Sequence, residues 1–148
     1  MPVFGKTSLK KLQGVHPELV KVLKAAIIDS PVDFTIDYGV RSAEEQHRLW
    51  LKGRNAAGKV INKKLVVTNA DGYKNKSNHQ QKADGYGHAI DLYPYINGKI
   101  DFDDDGDNLK VIAAHIKATA KCMGVKITWG GDWTLIREGI IDKPHFQN

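Results

Sequence analysis

Apolar residues recur with the period of an α-helix in two long stretches of the chain. The first stretch covers residues 17–29 and begins at Pro17, a residue that the first helical turn tolerates. The second stretch is followed directly by Gly124, a residue typical of helix C-caps. The apolar positions are Leu19, Val20, Leu23 and Ile27 in the first stretch and Leu109, Ile112, Ala113, Ile116, Ala120 and Met123 in the second. Both stretches are predicted to be amphipathic helices with one buried face.

Two shorter helices are predicted from weaker signals. Residues 8–15 have the composition of a short helix near the N-terminus. Ser42 and Glu45 have the spacing of a capping box, in which each side chain bonds the backbone N–H of the other residue. A helix is therefore expected over residues 43–52.

The strand signals predict a small sheet. Phe34–Tyr38 alternates apolar and polar residues, and residues 88–93 are typical of a buried strand. Asn97 with Gly98 is a strong hairpin signal, and residues 125–129 follow the last helix as a final strand. The predicted fold class is α+β, with helices packed on one side of a small antiparallel sheet.

Residues 53–78 show neither helical nor strand periodicity over most of their length. They are rich in Gly, Asn and Lys, apart from a short apolar run at Leu65, Val66 and Val67. A stretch of this length without regular pattern is usually functional. It is predicted to form a functional loop or lid.

Length and composition favour one globular domain spanning residues 1–148. No apolar run approaches the roughly 20 residues that a membrane span needs, so no membrane insertion is expected. The first residues lack the apolar region of a signal peptide, so no export signal is expected. Cys122 is the single cysteine, which excludes an internal disulfide, and it is predicted to be a small buried residue.

The net charge of +5 suits a negatively charged partner. The basic residues are spread along the chain and do not form one stripe interleaved with aromatic residues. No nucleic-acid motif accompanies them, so no nucleic-acid partner is predicted. An anionic polymer surface such as a cell wall remains compatible with the charge.

Two short segments contain the residue types of a zinc hydrolase. His79 lies just before the strand that contains Asp91, and His145 lies near the C-terminus. Two imidazoles and one carboxylate can bind zinc and leave a fourth position for water. Asp142, three residues before His145, could take a proton from that water. The segments therefore predict a hydrolytic metal site.

The same residues resemble the M15 metallopeptidases, which share the Hedgehog/D-Ala-D-Ala peptidase fold. Their pattern is Ser-x-His, then Gly-x-Ala-x-Asp, then a late carboxylate-x-x-His. The matching residues here are Ser77 and His79, Gly87, Ala89 and Asp91, and Asp142 and His145. The resemblance is closest to phage endolysins that act as L-alanyl-D-glutamate endopeptidases. It extends from about Phe4 to the end of the chain, which leaves no separate wall-binding domain.

The resemblance implies a zinc-dependent peptidoglycan endopeptidase that hydrolyses stem peptides, at the L-Ala-D-Glu bond. His79, Asp91 and His145 would bind Zn²⁺, and Asp142 would be the catalytic base. Arg41 would face the substrate, where a planar guanidinium can hold a carboxylate at two points. The protein would be a monomer. It would be made in the host cytoplasm without a signal peptide and would act on the periplasmic cell wall after membrane permeabilisation.

The chain departs from the family pattern at two points near the site. The family has two residues between the first His and the Gly, whereas residues 80–86 stand there in this chain. The insertion could form a bulge beside the metal site, or it could make His88 the metal ligand in place of His79. Alternation along a strand places the side chains of His88 and Asp91 on opposite faces, which favours His79 as the ligand. Many relatives also have Glu where this chain has Gln147, a change that could weaken the orientation of the site.

Three alternatives remain open from the sequence. One is a D-Ala-D-Ala carboxypeptidase, and another is a zinc-stabilised wall-binding module without turnover. The third concerns Ca²⁺, because the acidic run at residues 101–107 resembles the start of a calcium loop. Ile112 stands where an EF-hand needs its bidentate Glu, so the run is interpreted as a hairpin exit and an N-terminal helix cap.

Overall fold

The computed structural model describes residues 3–133 and 142–148. Within these residues the chain forms four α-helices and five strands. The helices are α1 (Lys6–Lys11), α2 (Pro17–Ile28), α3 (Ala43–Trp50) and α4 (Asn108–Met123). The strands are β1 (Phe34–Tyr38), β2 (Ala89–Ile96), β3 (Lys99–Ile100), β4 (Thr128–Trp129) and β5 (His145–Gln147). No helix in this part of the chain is long and apolar enough to cross a membrane.

The strands form one antiparallel sheet with β2 at its centre. The strand order is β1-β2-β5-β4, and β3 pairs with β2 as the second arm of a hairpin. Asn97 adopts a positive φ of 52° in the hairpin turn, as its Asn-Gly sequence predicts. The predicted α+β class with a small antiparallel sheet is confirmed. Because β2 pairs on both sides, its side chains are fixed more firmly than those of any edge strand.

The core lies where α2 and α4 pack together and where α4 and α1 meet the sheet. The helices contribute apolar residues at helical spacing, and the sheet contributes alternate positions of its strands. The fully buried members include Leu19, Val22 and Leu23 of α2, Ile112 and Ile116 of α4, and Ile36, Ile90, Leu92 and Phe146 of the sheet. This core makes β2 and β5 a rigid base for the side chains on their other face.

The helix ends follow the capping signals in the sequence. Ser42 and Glu45 form the complete capping box of α3, and Gly124 ends α4 with a left-handed φ of 69°. Asp104 accepts hydrogen bonds from the backbone N–H groups of Asn108 and Leu109 at the start of α4. The prediction that the acidic run caps this helix is therefore confirmed.

Three expectations about local structure were wrong. The first helix spans Lys6–Lys11, earlier than the predicted residues 8–15, and the last predicted strand is reduced to Thr128–Trp129. The short strand β5 was not predicted, because its extended form depends on pairing with β2 and not on its own three residues. Cys122 is exposed, since it lies two positions from buried Ala120 and so points away from the core.

Candidate metal centre

Strand pairing brings two of the predicted ligands together. In the register of the sheet, Asp91 of β2 lies directly opposite His145 of β5 and, on its other side, opposite Tyr38 of β1. Opposed residues of an antiparallel pair have their side chains about 5 Å apart on the same face. The 54 positions that separate the two residues in the sequence are therefore bridged by the ladder itself.

His79 reaches the same face from the turn that precedes β2. Its backbone N–H donates to Ser77 Oγ (3.2 Å), and its carbonyl accepts from the Arg41 N–H (2.9 Å). The buried imidazole donates from Nδ1 to the carbonyl oxygen of Gly39 (3.0 Å). These bonds orient the ring so that Nε2 faces Asp91, and they give Ser77 the hydrogen-bonding role that its position predicts.

His145 is oriented in the same way by a different partner. Its Nε2 donates to Gln147 Oε1 (2.8 Å), and the same oxygen accepts from Asn78 Nδ2 (2.7 Å). The Asn78 bond fixes which end of the Gln147 amide faces the imidazole, so a neutral glutamine can orient the ring as a carboxylate would. Nδ1 of His145 is left facing Asp91.

Three electron-rich atoms converge as a result. His79 Nε2 and His145 Nδ1 are 3.2 Å apart, and Asp91 Oδ1 lies 3.4 Å from the first and 3.5 Å from the second. Both imidazoles use their N–H groups elsewhere, and Asp91 Oδ1 is buried without a hydrogen-bond partner among the described residues. Three lone pairs in this arrangement repel one another unless a cation lies between them.

The separations of these atoms fit a tetrahedral zinc ion. Ligand bonds of about 2.0–2.1 Å at tetrahedral angles place neighbouring ligand atoms about 3.3 Å apart. The three observed separations of 3.2, 3.4 and 3.5 Å agree with that value. The residues present therefore fit a metal ion with three protein ligands, and the group His79, Asp91 and His145 is a candidate metal site.

The two carboxylates near the site have opposite pKa shifts. Burial opposes ionisation of Asp91, but the imidazoles of His145 and His79, when they carry the proton toward Asp91, outweigh it and hold its pKa well below the ordinary value. Burial raises the pKa of Asp142, and the negative charge of Asp91 raises it further. Two carboxylates whose pKa values are driven apart are suited to different roles, one as ligand and one as proton acceptor.

Asp142 is held beside the ligands by backbone contacts. Its N–H donates to the carbonyl of Gly130 (3.0 Å), and its own carbonyl accepts from the His145 N–H (3.1 Å). A Cβ at Gly130 would lie 2.1 Å from the Asp142 carbonyl oxygen, so only glycine allows this approach. The half-buried carboxylate has Oδ2 3.8 Å from His145 Nδ1, close enough to contact a water in a fourth coordination position.

Arg41 lies at the edge of the same site. Its Nη2 is 3.6 Å from Asp91 Oδ2, its Nη1 donates to the buried Gln46 (2.8 Å), and its guanidinium covers the Tyr38 ring. The side chain is only 10% exposed, and within the part of the chain that the structure describes its Nε has no hydrogen-bond partner. The guanidinium is thus held in place and desolvated, as a carboxylate-binding group should be. Its role toward substrate stays a prediction.

A groove of about 760 Å³ connects these side chains. The metal-site residues, Asp142 and Arg41 lie along it, together with Trp133, whose ring packs against His145 at 5.0 Å between centroids. The other wall is the C-terminal end of α3 and residues 66–70. The volume is in the range of ligand sites, so the predicted loop at residues 53–78 does border the candidate site.

Residues 80–86 fold away from the groove and leave His79 in the site. They bring Asp84 to His88, with Oδ2 2.6 Å from Nε2, and His16 stacks on His88 at 4.7 Å. Nδ1 of His16 accepts the Glu18 N–H (3.2 Å). His16, Asp84 and His88 thus form a second cluster at the insertion, separate from the group His79, Asp91 and His145.

The sequence did not indicate two residues that position the site. Asn78 bonds Gln147 across 69 positions, and buried Gln80 accepts the Ser77 N–H and donates to the Gly72 carbonyl. Nothing in the sequence links Asn78 to its distant partner, whereas Gln80 lies only three residues from Ser77. Tyr86 packs against His16.

Comparison with solved structures defines the class of protein. The L-Ala D-Glu endopeptidase ChiX of Serratia marcescens matches with a TM-score of 0.69 and 28% identity over 97% of this chain and 87% of its own. The vancomycin-resistance D,D-dipeptidase VanXYg, solved with a D-Ala-D-Ala phosphinate analog, matches with a TM-score of 0.52 over 90% of this chain and 49% of its own. At 22% identity the second likeness concerns the fold alone. The fold is that of the M15-type peptidases, as predicted.

Sequence comparison then gives the family. Residues 2–147 match the family model of the phage L-alanyl-D-glutamate peptidase. The L-alanyl-D-glutamate peptidase of Escherichia phage T5 is 34% identical over 151 residues, which cover 97% of this chain and 96% of that protein. The chain belongs to the phage L-alanyl-D-glutamate peptidase family.

The contact between Gln147 and His145 leads to a first prediction. Gln147→Ala should weaken metal binding by roughly 10–100-fold, because it removes the acceptor that orients His145. Gln147→Glu should restore binding, since a carboxylate accepts the same hydrogen bonds. Zinc affinity is measured by competition with a chromogenic chelator. Equal affinity of wild type and Gln147→Ala would show that the sheet alone orients the ring.

Proposed function

We propose that this protein is a zinc-dependent peptidoglycan endopeptidase that hydrolyses stem peptides at the L-Ala-D-Glu bond. Membership of the phage L-alanyl-D-glutamate peptidase family and the likeness to the endopeptidase ChiX support this activity. The observation that carries the proposal is the convergence of three ligand atoms 3.2–3.5 Å apart beside a second carboxylate, in one groove.

Zinc is the proposed ion because of the donor set. Two imidazole nitrogens and one carboxylate oxygen at tetrahedral spacing are typical of catalytic zinc sites, whereas calcium prefers six to eight oxygen ligands. His79 would bind through Nε2, His145 through Nδ1 and Asp91 through Oδ1. When bound, zinc supplies Lewis-acid polarisation of the scissile carbonyl and acidifies the attacking water.

The surrounding residues would carry the proton and orient the substrate. Asp142, with its raised pKa, accepts the proton of the attacking water at its carboxylate and returns it to the leaving amine nitrogen. Arg41 binds a free carboxylate of the D-glutamate residue, next to the bond that is cut. Trp133 packs against His145 and limits access of water on that side.

We further propose a single catalytic domain that acts as a monomer. The family model matches residues 2–147, which supports one catalytic domain over residues 1–148. In this proposal the protein is made in the host cytoplasm and reaches the cell wall once the membrane has been permeabilised. No nucleic-acid partner is proposed.

Product analysis tests the proposed activity. The zinc-loaded protein is incubated with purified muropeptides, and the fragments are identified by mass spectrometry. We expect a new amino terminus at D-glutamate. Release of free D-alanine would instead indicate a D-Ala-D-Ala carboxypeptidase. If the muropeptides stay intact with zinc bound, the endopeptidase proposal fails and a wall-binding module without turnover takes its place.

A further inference from the structure

Positive charge is concentrated beside the groove in a segment that the catalytic proposal does not use. Residues 52–76, here called the basic segment, contain seven of the 22 Lys and Arg residues and one acidic residue, Asp71. The segment alone has a net charge of +6, which exceeds the +5 of the whole chain. The other residues together are slightly negative. This concentration of positive charge in one segment differs from the even spread of basic residues inferred from the sequence.

The basic segment is folded against α3. Arg54 stacks on the Trp50 ring and donates to the Thr68 carbonyl (3.1 Å), and Gln46 donates to the Ala70 carbonyl (2.9 Å). Asp71 Oδ1 accepts three backbone N–H groups of residues 73–75. The one acid of the segment is thus engaged locally, and the backbone of the segment is tied to α3.

All six lysines of the segment are exposed. None of them forms an ion pair with a residue of the described ranges 3–133 and 142–148. They are Lys52, Lys59, Lys63, Lys64, Lys74 and Lys76. Like charges held together without counter-charges raise the local potential and attract a polyanion.

The lysines extend beyond the space that a cleaved bond would occupy. Lys52 and Lys76 line the groove, whereas Lys59, Lys63, Lys64 and Lys74 do not. A ligand that contacts the outer four must therefore be longer than the peptide bound in the groove. Because the segment continues from the groove wall, such a ligand can leave the groove and run along the lysines.

We propose that the basic segment is a binding surface for the peptidoglycan polymer, which it holds through the free carboxylates of neighbouring stem peptides. This inference rests on the proposed function, which supplies the polymer as substrate. The surface would retain the enzyme on an insoluble wall between cuts. Exposed Ile61 and Leu65 lie on the same segment, but Lys52 and Lys76 of the segment line the groove in which the polymer is cut, so the wall is the better partner.

Binding to purified sacculi tests the proposal in an inactive Asp142→Asn background. Lys59, Lys63, Lys64 and Lys74 are replaced together by Gln, and the bound fraction is measured by pelleting at increasing ionic strength. We expect binding at low salt to weaken by about ten-fold or more, because the local field that concentrates the polymer is lost. Replacing the same four residues by Arg should preserve binding.

A control variant of equal net charge removes the effect of overall charge. Lys10, Lys21, Lys24 and Lys110 are exposed, belong to α1, α2 and α4, and form no ion pair within the described residues. Their joint replacement by Gln should change binding less than about two-fold. Thermal unfolding of both variants verifies that they are folded.

The proposed binding surface would be overturned if the variant with four Gln residues in the basic segment bound sacculi as well as the Asp142→Asn parent does. It would also be overturned if the control variant lost binding equally. Tighter binding of the parent to phosphatidylglycerol-containing vesicles than to sacculi would replace the wall by a membrane as the partner. Hydrolysis of a soluble muropeptide by the wild type is measured in parallel. Its absence would reject the proposed endopeptidase, whatever the binding results, so the two failures are distinguishable.

Discussion

Replacing Asp142 by Asn is expected to lower kcat by about 10²–10⁴-fold, the range for loss of a general acid–base group. The amide has nearly the shape of the carboxylate but cannot accept the proton of the attacking water. Asp142 is not one of the three converging ligand atoms, and its contacts with Gly130 and His145 use the backbone. Folding and zinc content should therefore be retained. The measurement is kcat on a soluble muropeptide, with zinc stoichiometry determined on the same sample.

Asp105→Asn is the matched control for this change. Asp105 is exposed in the acidic run before α4 and does not line the groove, so its replacement should leave kcat unchanged. Two results would contradict the assignment of Asp142. Full activity of Asp142→Asn would mean that another group takes the proton. Loss of zinc from the variant would mean that Asp142 binds the ion instead.

The elements that the sequence predicted well are those with local causes. The period of Leu19, Leu23 and Ile27 reflects one buried face of α2, and the capping box of Ser42 with Glu45 needs no distant partner. Phe34–Tyr38 forms a strand with the predicted bounds. Short-range hydrogen bonding and periodic burial decide such elements, and both can be read from neighbouring residues.

The elements that the sequence did not predict depend on distant partners. Strand β5 has three residues and exists through its pairing with β2 and β4. The bond between Asn78 and Gln147 joins a loop residue to strand β5, and the two residues are 69 positions apart in the sequence. The surface formed by the basic segment likewise depends on how α3 holds it, although its excess of lysines was countable from the sequence alone.

The candidate site lies between these two cases. Residue types and order predicted the group His79, Asp91 and His145, and the fold brings these three together. Strand alternation favoured His79 over His88, and His88 does lie with Asp84 outside the group. The orienting bonds from Gly39 and Gln147 came only from the structure, although they decide which nitrogen of each imidazole faces the metal. The ligand roles themselves stay a prediction.

Replacing Asp91 by Asn is the most direct test of those roles. The change keeps the volume of the side chain but removes the charged oxygen that lies 3.4 and 3.5 Å from the two imidazole nitrogens. We expect zinc affinity to fall by at least about 100-fold, since loss of an outer hydrogen bond to a ligand already costs 10–100-fold. Activity on muropeptides should be lost at the same zinc concentration. Asp37→Asn is the control, because Asp37 lines the same groove and is not part of the ligand group.

Thermal unfolding with and without zinc measures the loss of zinc affinity in Asp91→Asn independently of activity. A ligand at a concentration 100 times its Kd stabilises the folded protein by about 2.7 kcal/mol, and one at its Kd by about 0.4 kcal/mol. Zinc that stabilises the wild type by the larger amount should therefore stabilise Asp91→Asn by the smaller amount or less. The Asp37→Asn control should keep the wild-type shift. An undiminished zinc shift in Asp91→Asn would remove Asp91 from the ligand set, and with it the three-ligand site on which the proposed zinc chemistry depends.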